Sequence, residues 1–168
     1  MSVSLAASAV IHEIATLILV GSLFFILFVQ LPAISRVKSP RARLRLRRAS
    51  FKSLFRWGWV GLLLLWLTGG YELLATSPDA SALHVRLMAV LSAVFTLLFL
   101  LAQFGVLHDA IVALEDGNSE RASWLYRRLQ TLLAVAFALA VVVMLLDVAG
   151  PALAGVEGLT LKLFFSRS

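Results

Sequence analysis

Two histidines in long apolar segments provide the imidazole groups that a metal site needs. His12 lies within the first apolar segment, and His84 lies near the start of the third. Neutral imidazole is a common ligand of haem iron and of copper, and a carboxylate that accepts a hydrogen bond from the second ring nitrogen orients the ring. Because both histidines are expected at similar depth near one membrane face, His12 and His84 are the predicted ligand pair.

Three charged residues are predicted to support this pair. Glu72 and Asp147 are the candidates for orienting His12, because Glu13 would need an awkward side-chain path to reach the adjacent ring. Arg86 is a candidate partner for a carboxylate or a haem propionate. Charges in lipid cost free energy and usually face the bundle interior or water. The alternative is that the two acidic residues simply lie among the headgroups, where a charge costs little.

A third histidine is expected at the opposite membrane face. His84 and His108 are 24 residues apart, which is about 36 Å along a helix that rises 1.5 Å per residue. This distance exceeds the roughly 30 Å hydrocarbon core, so these two histidines cannot share a mononuclear site. We interpret His108 and Asp109 as a solvated pair at the membrane edge.

The sulfur-containing residues narrow the choice of metal. The chain has no cysteine, and its three methionines are Met1, Met88 and Met144. Cu(I) pathways usually use thioether or thiolate ligands, so a methionine-lined Cu(I) route is disfavoured. Haem b, or Cu(II) at the outer surface, fits histidine ligands better. The sequence contains no glycine-rich phosphate loop, nucleophile elbow or metalloprotease histidine pair.

The elements that must position these residues are predicted to be membrane-spanning helices. Of the 168 residues, 61% are hydrophobic and 14% are charged, and the mean hydropathy is +0.95. The apolar runs lack the alternation of barrel strands, and open sheets cannot cross lipid. The predicted fold class is an all-α integral membrane protein with four transmembrane helices in an antiparallel bundle. The predicted spans are residues 5–33, 57–75, 78–107 and 129–148.

Turn and helix-end residues predict where these spans begin and end. Ser77 followed by Pro78 is typical of a helix start. Residues 115–118 have the composition of a loop, and Gly150-Pro151 is predicted to end the fourth span. Residues 1–150 therefore form the predicted four-helix domain, and residues 151–168 form a short outer tail that is suited to the membrane interface.

Paired glycines in the second span predict a close contact between helices. Gly69 and Gly70 lie near the end of this span, and small residues in membrane helices let backbones approach each other.

Lysine and arginine are distributed unevenly among the connectors. Of the 15 basic residues, nine lie within residues 36–56 and three within residues 108–128. The positive-inside rule therefore predicts that both connectors are cytoplasmic and both termini outside, in a bacterial-type cytoplasmic membrane. We attribute the net charge of +6 to topology and to anionic lipid headgroups at Arg36–Arg56, and not to nucleic acid. We interpret the basic cytoplasmic connector at residues 36–56 as a topology signal that happens to be helical, with a partly embedded amphipathic surface helix as the alternative.

Short motifs in all four spans are similar to those of a known group of membrane proteins. They are the stretches His12–Pro32, Leu67–Tyr71, Leu83–Leu87 and Trp124–Leu129. Over roughly residues 8–148, the chain resembles the CopD-like copper-resistance membrane domain and its relative, the HemJ-type protoporphyrinogen oxidase.

The HemJ-type resemblance implies a four-helix bundle that holds haem b through a histidine of its first helix, which corresponds to His12. Arg86 stands where the third-helix motif of that group has lysine, and Gln130-Thr131 stands where its fourth helix has asparagine and glutamate. These departures favour the CopD-like side. That resemblance implies a role in copper handling at the cytoplasmic membrane.

The residues and the resemblance leave three functions open. The leading prediction is a CopD-like inner-membrane protein that binds haem b or copper near its outer face. The first alternative is an enzyme that uses haem to oxidise protoporphyrinogen and passes electrons toward quinone. The second is a non-catalytic membrane subunit whose basic connector and glycine-containing helix faces hold a partner, in a homo-oligomer or a larger membrane complex.

Overall fold

The computed structural model describes residues 3–75 and 83–165, and this part of the chain contains helices and no strand. Six α-helices and two short π-helical segments follow one another along it. The first rod consists of α1 (Val3–Phe24), π1 (Phe25–Gln30) and α2 (Leu31–Ser35). The second is α3 (Pro40–Ala75). The third consists of α4 (Leu83–Leu100), π2 (Leu101–Leu107) and α5 (His108–Glu115), and the fourth is α6 (Ser119–Phe165).

Three of these rods confirm the prediction of a multi-pass membrane protein. The helical stretches Val3–Ser35, Arg86–Glu115 and Ser119–Asp147 are long and apolar enough to cross a membrane. Over its described residues, α3 does not reach the same apolar character. The first half of this helix is basic, and polar residues such as Thr68 and Glu72 interrupt the leucines of its second half.

Side-chain contacts arrange neighbouring rods antiparallel. The hydroxyl of Tyr71 in α3 donates a hydrogen bond to Ser4 in α1. Earlier in α3, the indole N–H of Trp66 donates a hydrogen bond to the hydroxyl of Thr96 in α4, at a distance of 3.0 Å. Between π1 of the first rod and α6, the rings of Phe28 and Phe137 lie edge to face with their centroids 5.6 Å apart. Leu19 of α1 lies beside Gly61 of α3, and Trp59 of α3 donates to Gln103 of the third rod, so in both pairs the neighbouring rods run in opposite directions.

The largest buried side chains cluster in the half of the bundle that carries the basic residues. Phe51 stacks on Tyr126 with ring centroids 5.9 Å apart, and Phe55 contacts Phe99 at 4.8 Å. Gly58 makes room for this cluster, because a Cβ atom there would lie 2.6 Å from the Phe99 ring. Burial of these aromatic rings holds α3, α4 and α6 together at this end.

The basic connector is mostly helical. Residues 36–39 lack helical structure, and α3 then starts at Pro40 and continues without a break into the second apolar segment. The Ser39 hydroxyl accepts a hydrogen bond from the Ala42 N–H at 3.4 Å, and proline suits the first helical turn because it has no N–H to satisfy. Most of residues 36–56 are therefore helical, and Phe51 and Phe55 of this stretch are buried in the bundle.

The predicted turn at residues 115–118 is confirmed, but Gly150-Pro151 does not end the last helix as predicted. Gly117 adopts a φ of 77°, and the Asn118 side chain accepts a hydrogen bond from the Arg121 N–H at the start of α6. At the other end, α6 continues through Gly150-Pro151 to Phe165. A proline removes one helical hydrogen bond and can bend a helix without ending it. The predicted helix start at Ser77-Pro78 lies outside the described residues.

Candidate functional site

Small and polar residues line the contact between α1 and the last turns of α3. Ser8 is buried, and its hydroxyl donates to the Thr68 carbonyl at 3.4 Å. One turn further along α1, the His12 ring reaches the side chain of the same threonine. Because these side chains are short, the two helices approach closely where the candidate ligand lies.

A threonine hydroxyl fixes the protonation pattern of the His12 ring. The Nδ1 atom of His12 lies 2.8 Å from Oγ1 of Thr68. That hydroxyl donates its single proton to the Leu64 carbonyl at 2.7 Å, which is the usual bond of a threonine to the preceding helical turn. With that bond in place Thr68 accepts from the ring, which assigns the proton of neutral His12 to Nδ1. Nε2 therefore has the lone pair that a metal ligand needs.

Gly69 provides the space for this ring. A Cβ atom at Gly69 would lie 3.2 Å from Cε1 of His12 and 3.7 Å from its Nδ1. A Cβ atom at Gly70 would have no neighbour within 4 Å. The predicted close helix contact is therefore confirmed for the first glycine of the pair, and the second does not take part in it.

A group of carboxylates lies at the same end of the bundle. Glu13 in α1 lies beside Asp147 in α6, and Glu72 in α3 is close enough for its charge to act on Glu13. Three helices therefore contribute ionisable groups to one layer.

The predicted site residues are only partly brought together. His12, Glu72 and Asp147 are half-buried, and Arg86 is exposed on α4. The backbone of His84 belongs to α4, but its side chain lies outside the described part of the structure. The pairing of the two histidines therefore stays a prediction.

The group that orients His12 is not the one that sequence reasoning selected. A carboxylate was the expected partner, and the structure has Thr68 at Nδ1. Asp147 instead lies against Glu13, and this pair was not predicted. The signal for Thr68 was its position beside the two glycines, because a hydroxyl next to a close helix contact is well placed to meet a side chain of the facing helix.

The described residues provide one metal ligand with a fixed orientation, but not a complete metal site. Among them, no three histidine or acidic side chains are grouped so that they could hold a metal ion. The donor that the structure does describe is His12, with its ring held against α3.

Comparisons of the chain with protein-family models, with curated proteins and with solved structures found no match. The resemblance to CopD-like and HemJ-type proteins therefore depends on the short sequence motifs alone.

Proposed function

We propose that this chain is a CopD-like, four-pass membrane protein that binds a metal centre through Nε2 of His12 near its outer face. The observation that carries the proposal is the hydrogen bond between His12 and Thr68. Metal-binding histidines commonly donate their other ring N–H to a neighbouring acceptor, which fixes the tautomer and the ring orientation. His12 has this arrangement, with a half-buried ring at a close contact between two helices.

The proposed topology has α3 as the fourth membrane-crossing helix. Packing supports this assignment, because α3 runs antiparallel to α1 from the contact of Tyr71 with Ser4 toward its basic half. A helix that follows a spanning neighbour over this length crosses the same thickness, and burial in the bundle reduces its need for apolar surface. The excess of Lys and Arg at the opposite end supports a cytoplasmic basic end, with both termini outside and the chain in a bacterial-type cytoplasmic membrane.

Of the two candidate groups, haem b fits the donors better than a copper ion. Haem iron needs only one or two axial imidazoles from the protein, whereas a copper ion needs a larger set of protein ligands. His12 and His84 would hold the haem, and Arg86 would pair with a propionate. Bound haem would supply one-electron redox chemistry. His12 with Thr68 would hold the ring in its ligating tautomer.

An absorption spectrum combined with metal analysis tests this proposal. The full chain is purified in mild detergent, supplied in separate samples with excess haem or Cu(II), and freed of unbound metal. We expect a Soret band that is lost in His12→Ala and retained in His108→Ala, a matched histidine from the other end of the bundle. A colourless protein that keeps copper in a His12-dependent way supports the copper form. Retention of neither group by the wild type, or equal retention by both variants, overturns the proposal.

A further inference from the structure

An open groove lies between the middle of α3 and the π2–α5 segment. It encloses about 320 Å³. Its lining combines cationic, polar and apolar side chains: Lys52, Phe55, Arg56, Gln103, Phe104, Leu107, His108 and Ile111. The groove lies where the basic half of α3 meets its apolar half, and it is at the opposite end of the bundle from His12.

Two neighbouring arginines at this end already have partners. Arg48 forms a salt bridge with Glu115 at 2.7 Å. The guanidinium of Arg43 donates two hydrogen bonds to the Val37 carbonyl, at 3.0 and 3.3 Å. These side chains hold α3 to the end of α5 and to the segment that precedes α3, so their positive charges serve the fold.

The two cations of the groove, Lys52 and Arg56, differ from Arg43 and Arg48 because they have no such partner among the described residues. Lys52 and Arg56 lie one helical turn apart, both are exposed, and neither forms an ion pair within the part of the chain that the structure describes. Positive charge at this end also exceeds the local negative charge. Burial, followed by the charges of Arg43 and Arg127, lowers the pKa of Arg47. An anion in the groove would therefore meet attraction from several cations and little competition from carboxylates.

The rest of the groove provides a hydrogen-bond donor and an apolar surface. Trp59 donates its indole N–H to the Gln103 side-chain oxygen at 2.6 Å, so the amide NH₂ of Gln103 remains as a donor. Phe55 and Leu107 are buried beneath the groove, whereas the ring of Phe104 is 62% exposed at its side. Polar donors thus lie beside a surface that continues into the apolar part of the bundle.

We propose that this groove binds an anionic phospholipid, with the phosphate at Lys52 and Arg56 and the first part of an acyl chain against Phe104 and Leu107. A small free anion would use the cations and leave the apolar side unused, whereas a phospholipid matches both parts. The inference rests on the proposed membrane topology, because it needs the basic end at the headgroup level. It does not depend on metal binding at His12.

A charge-matched pair of double variants tests the site. Arg41 and Arg45 have the same spacing as Lys52 and Arg56 and precede them by 11 residues on α3. This shift is about three turns and roughly 16 Å, so it keeps the same helix face but exceeds the screening length of about 8 Å. Lys52→Ala with Arg56→Ala therefore removes the same charge as Arg41→Ala with Arg45→Ala, but only the first pair lines the groove.

Native mass spectrometry of the full chain in detergent measures the binding of phosphatidylglycerol, of phosphatidylcholine and of inorganic phosphate. We expect the wild type to prefer phosphatidylglycerol. Each cation beside a phosphate contributes roughly fivefold in affinity, so the groove pair (Lys52→Ala with Arg56→Ala) should bind phosphatidylglycerol about 25-fold more weakly. The control pair (Arg41→Ala with Arg45→Ala) should lose less than threefold in affinity. Replacing each groove cation by the other, Lys52→Arg with Arg56→Lys, should retain binding. Equal losses in the two pairs, no preference between lipids, or inorganic phosphate binding as tightly as the lipid would overturn the proposal.

The same preparations distinguish this inference from the proposed function. The groove pair should keep wild-type haem or copper content, which also shows that it is folded. Topology is measured separately: because the chain has no cysteine, Asn118→Cys in the turn before α6 gives a unique label site. Labelling from the outside would contradict the proposed orientation, whereas a lost lipid preference with cytoplasmic labelling and normal metal content is assigned to the groove.

Discussion

At the basic end of the bundle the helices meet through large buried aromatic rings, whereas at the His12 end they meet through small side chains and hydrogen bonds. Phe51 and Tyr126 are 0% and 1% exposed at the first end. At the second, the buried residues include Ser8 and Thr68. Burial of large apolar groups dominates folding energy, while hydrogen bonds define geometry at a smaller net gain. Stability therefore comes mainly from the basic end, whereas the His12 end positions a ligand.

The largest effect is expected from the aromatic core. Phe51→Ala removes a fully buried ring that stacks on Tyr126, and we expect the free energy of unfolding to fall by about 3–5 kcal/mol. Phe28→Ala is the matched control, because that ring is 57% exposed. Denaturant unfolding in detergent measures both variants. Equal losses for the two would mean that stability is not concentrated at the basic end.

The second-largest effect is expected at the His12 end of the bundle, where the measured quantity is metal affinity. Thr68→Val keeps the side-chain shape but removes the acceptor for the Nδ1–H of His12. We expect the affinity for haem or copper to fall about 10–100-fold, as it does when the group that orients a metal-binding histidine is lost. Thr68→Ser retains the hydroxyl and should retain most of the affinity. Titration with absorbance detection measures it, and unchanged binding in Thr68→Val would show that the hydroxyl does not prepare the ligand.

A smaller effect should separate the two adjacent glycines. Gly69→Ala places a Cβ atom 3.2 Å from the His12 ring, so the ring must shift by a few tenths of an ångström and metal affinity should fall several-fold. Gly70→Ala meets no atom within 4 Å and should keep its affinity, with up to about 1 kcal/mol of added stability from better helix propensity. Parallel metal titrations and unfolding curves measure both. If the two variants bind equally, the contact at Gly69 is not important for the ligand.

The smallest effect is expected at a polar atom inside the aromatic core. The Tyr126 hydroxyl is buried and has no hydrogen-bond partner among the described residues. Tyr126→Phe removes this oxygen and keeps the ring against Phe51, so the free energy of unfolding should stay constant or rise by up to about 1 kcal/mol. A loss above 1 kcal/mol in the same unfolding measurement would show that the hydroxyl has a stabilising partner.

Local composition allowed much of the fold to be predicted. The apolar runs predicted membrane helices because long uncharged stretches favour lipid wherever they pack. The turn at residues 115–118 followed from its loop-forming composition. The helix ends were harder to predict, because proline often ends a helix but is also compatible with one. The helix α6 continues through Pro151, and α3 already begins at Pro40. In both cases a proline was compatible with helix, and neighbouring residues decided the outcome.

The sequence by itself determined the apolar helices, their order and the end of the bundle that carries the positive charge, because these depend on the composition of single segments. Tertiary structure alone decided that His12 meets Thr68 and that Glu13 meets Asp147. Such pairs depend on the rotation and register of whole helices, which are set by distant contacts such as the Phe99 ring against Gly58. A shift of one residue turns a helix by about 100° and exchanges its contacts, so no local pattern specifies them.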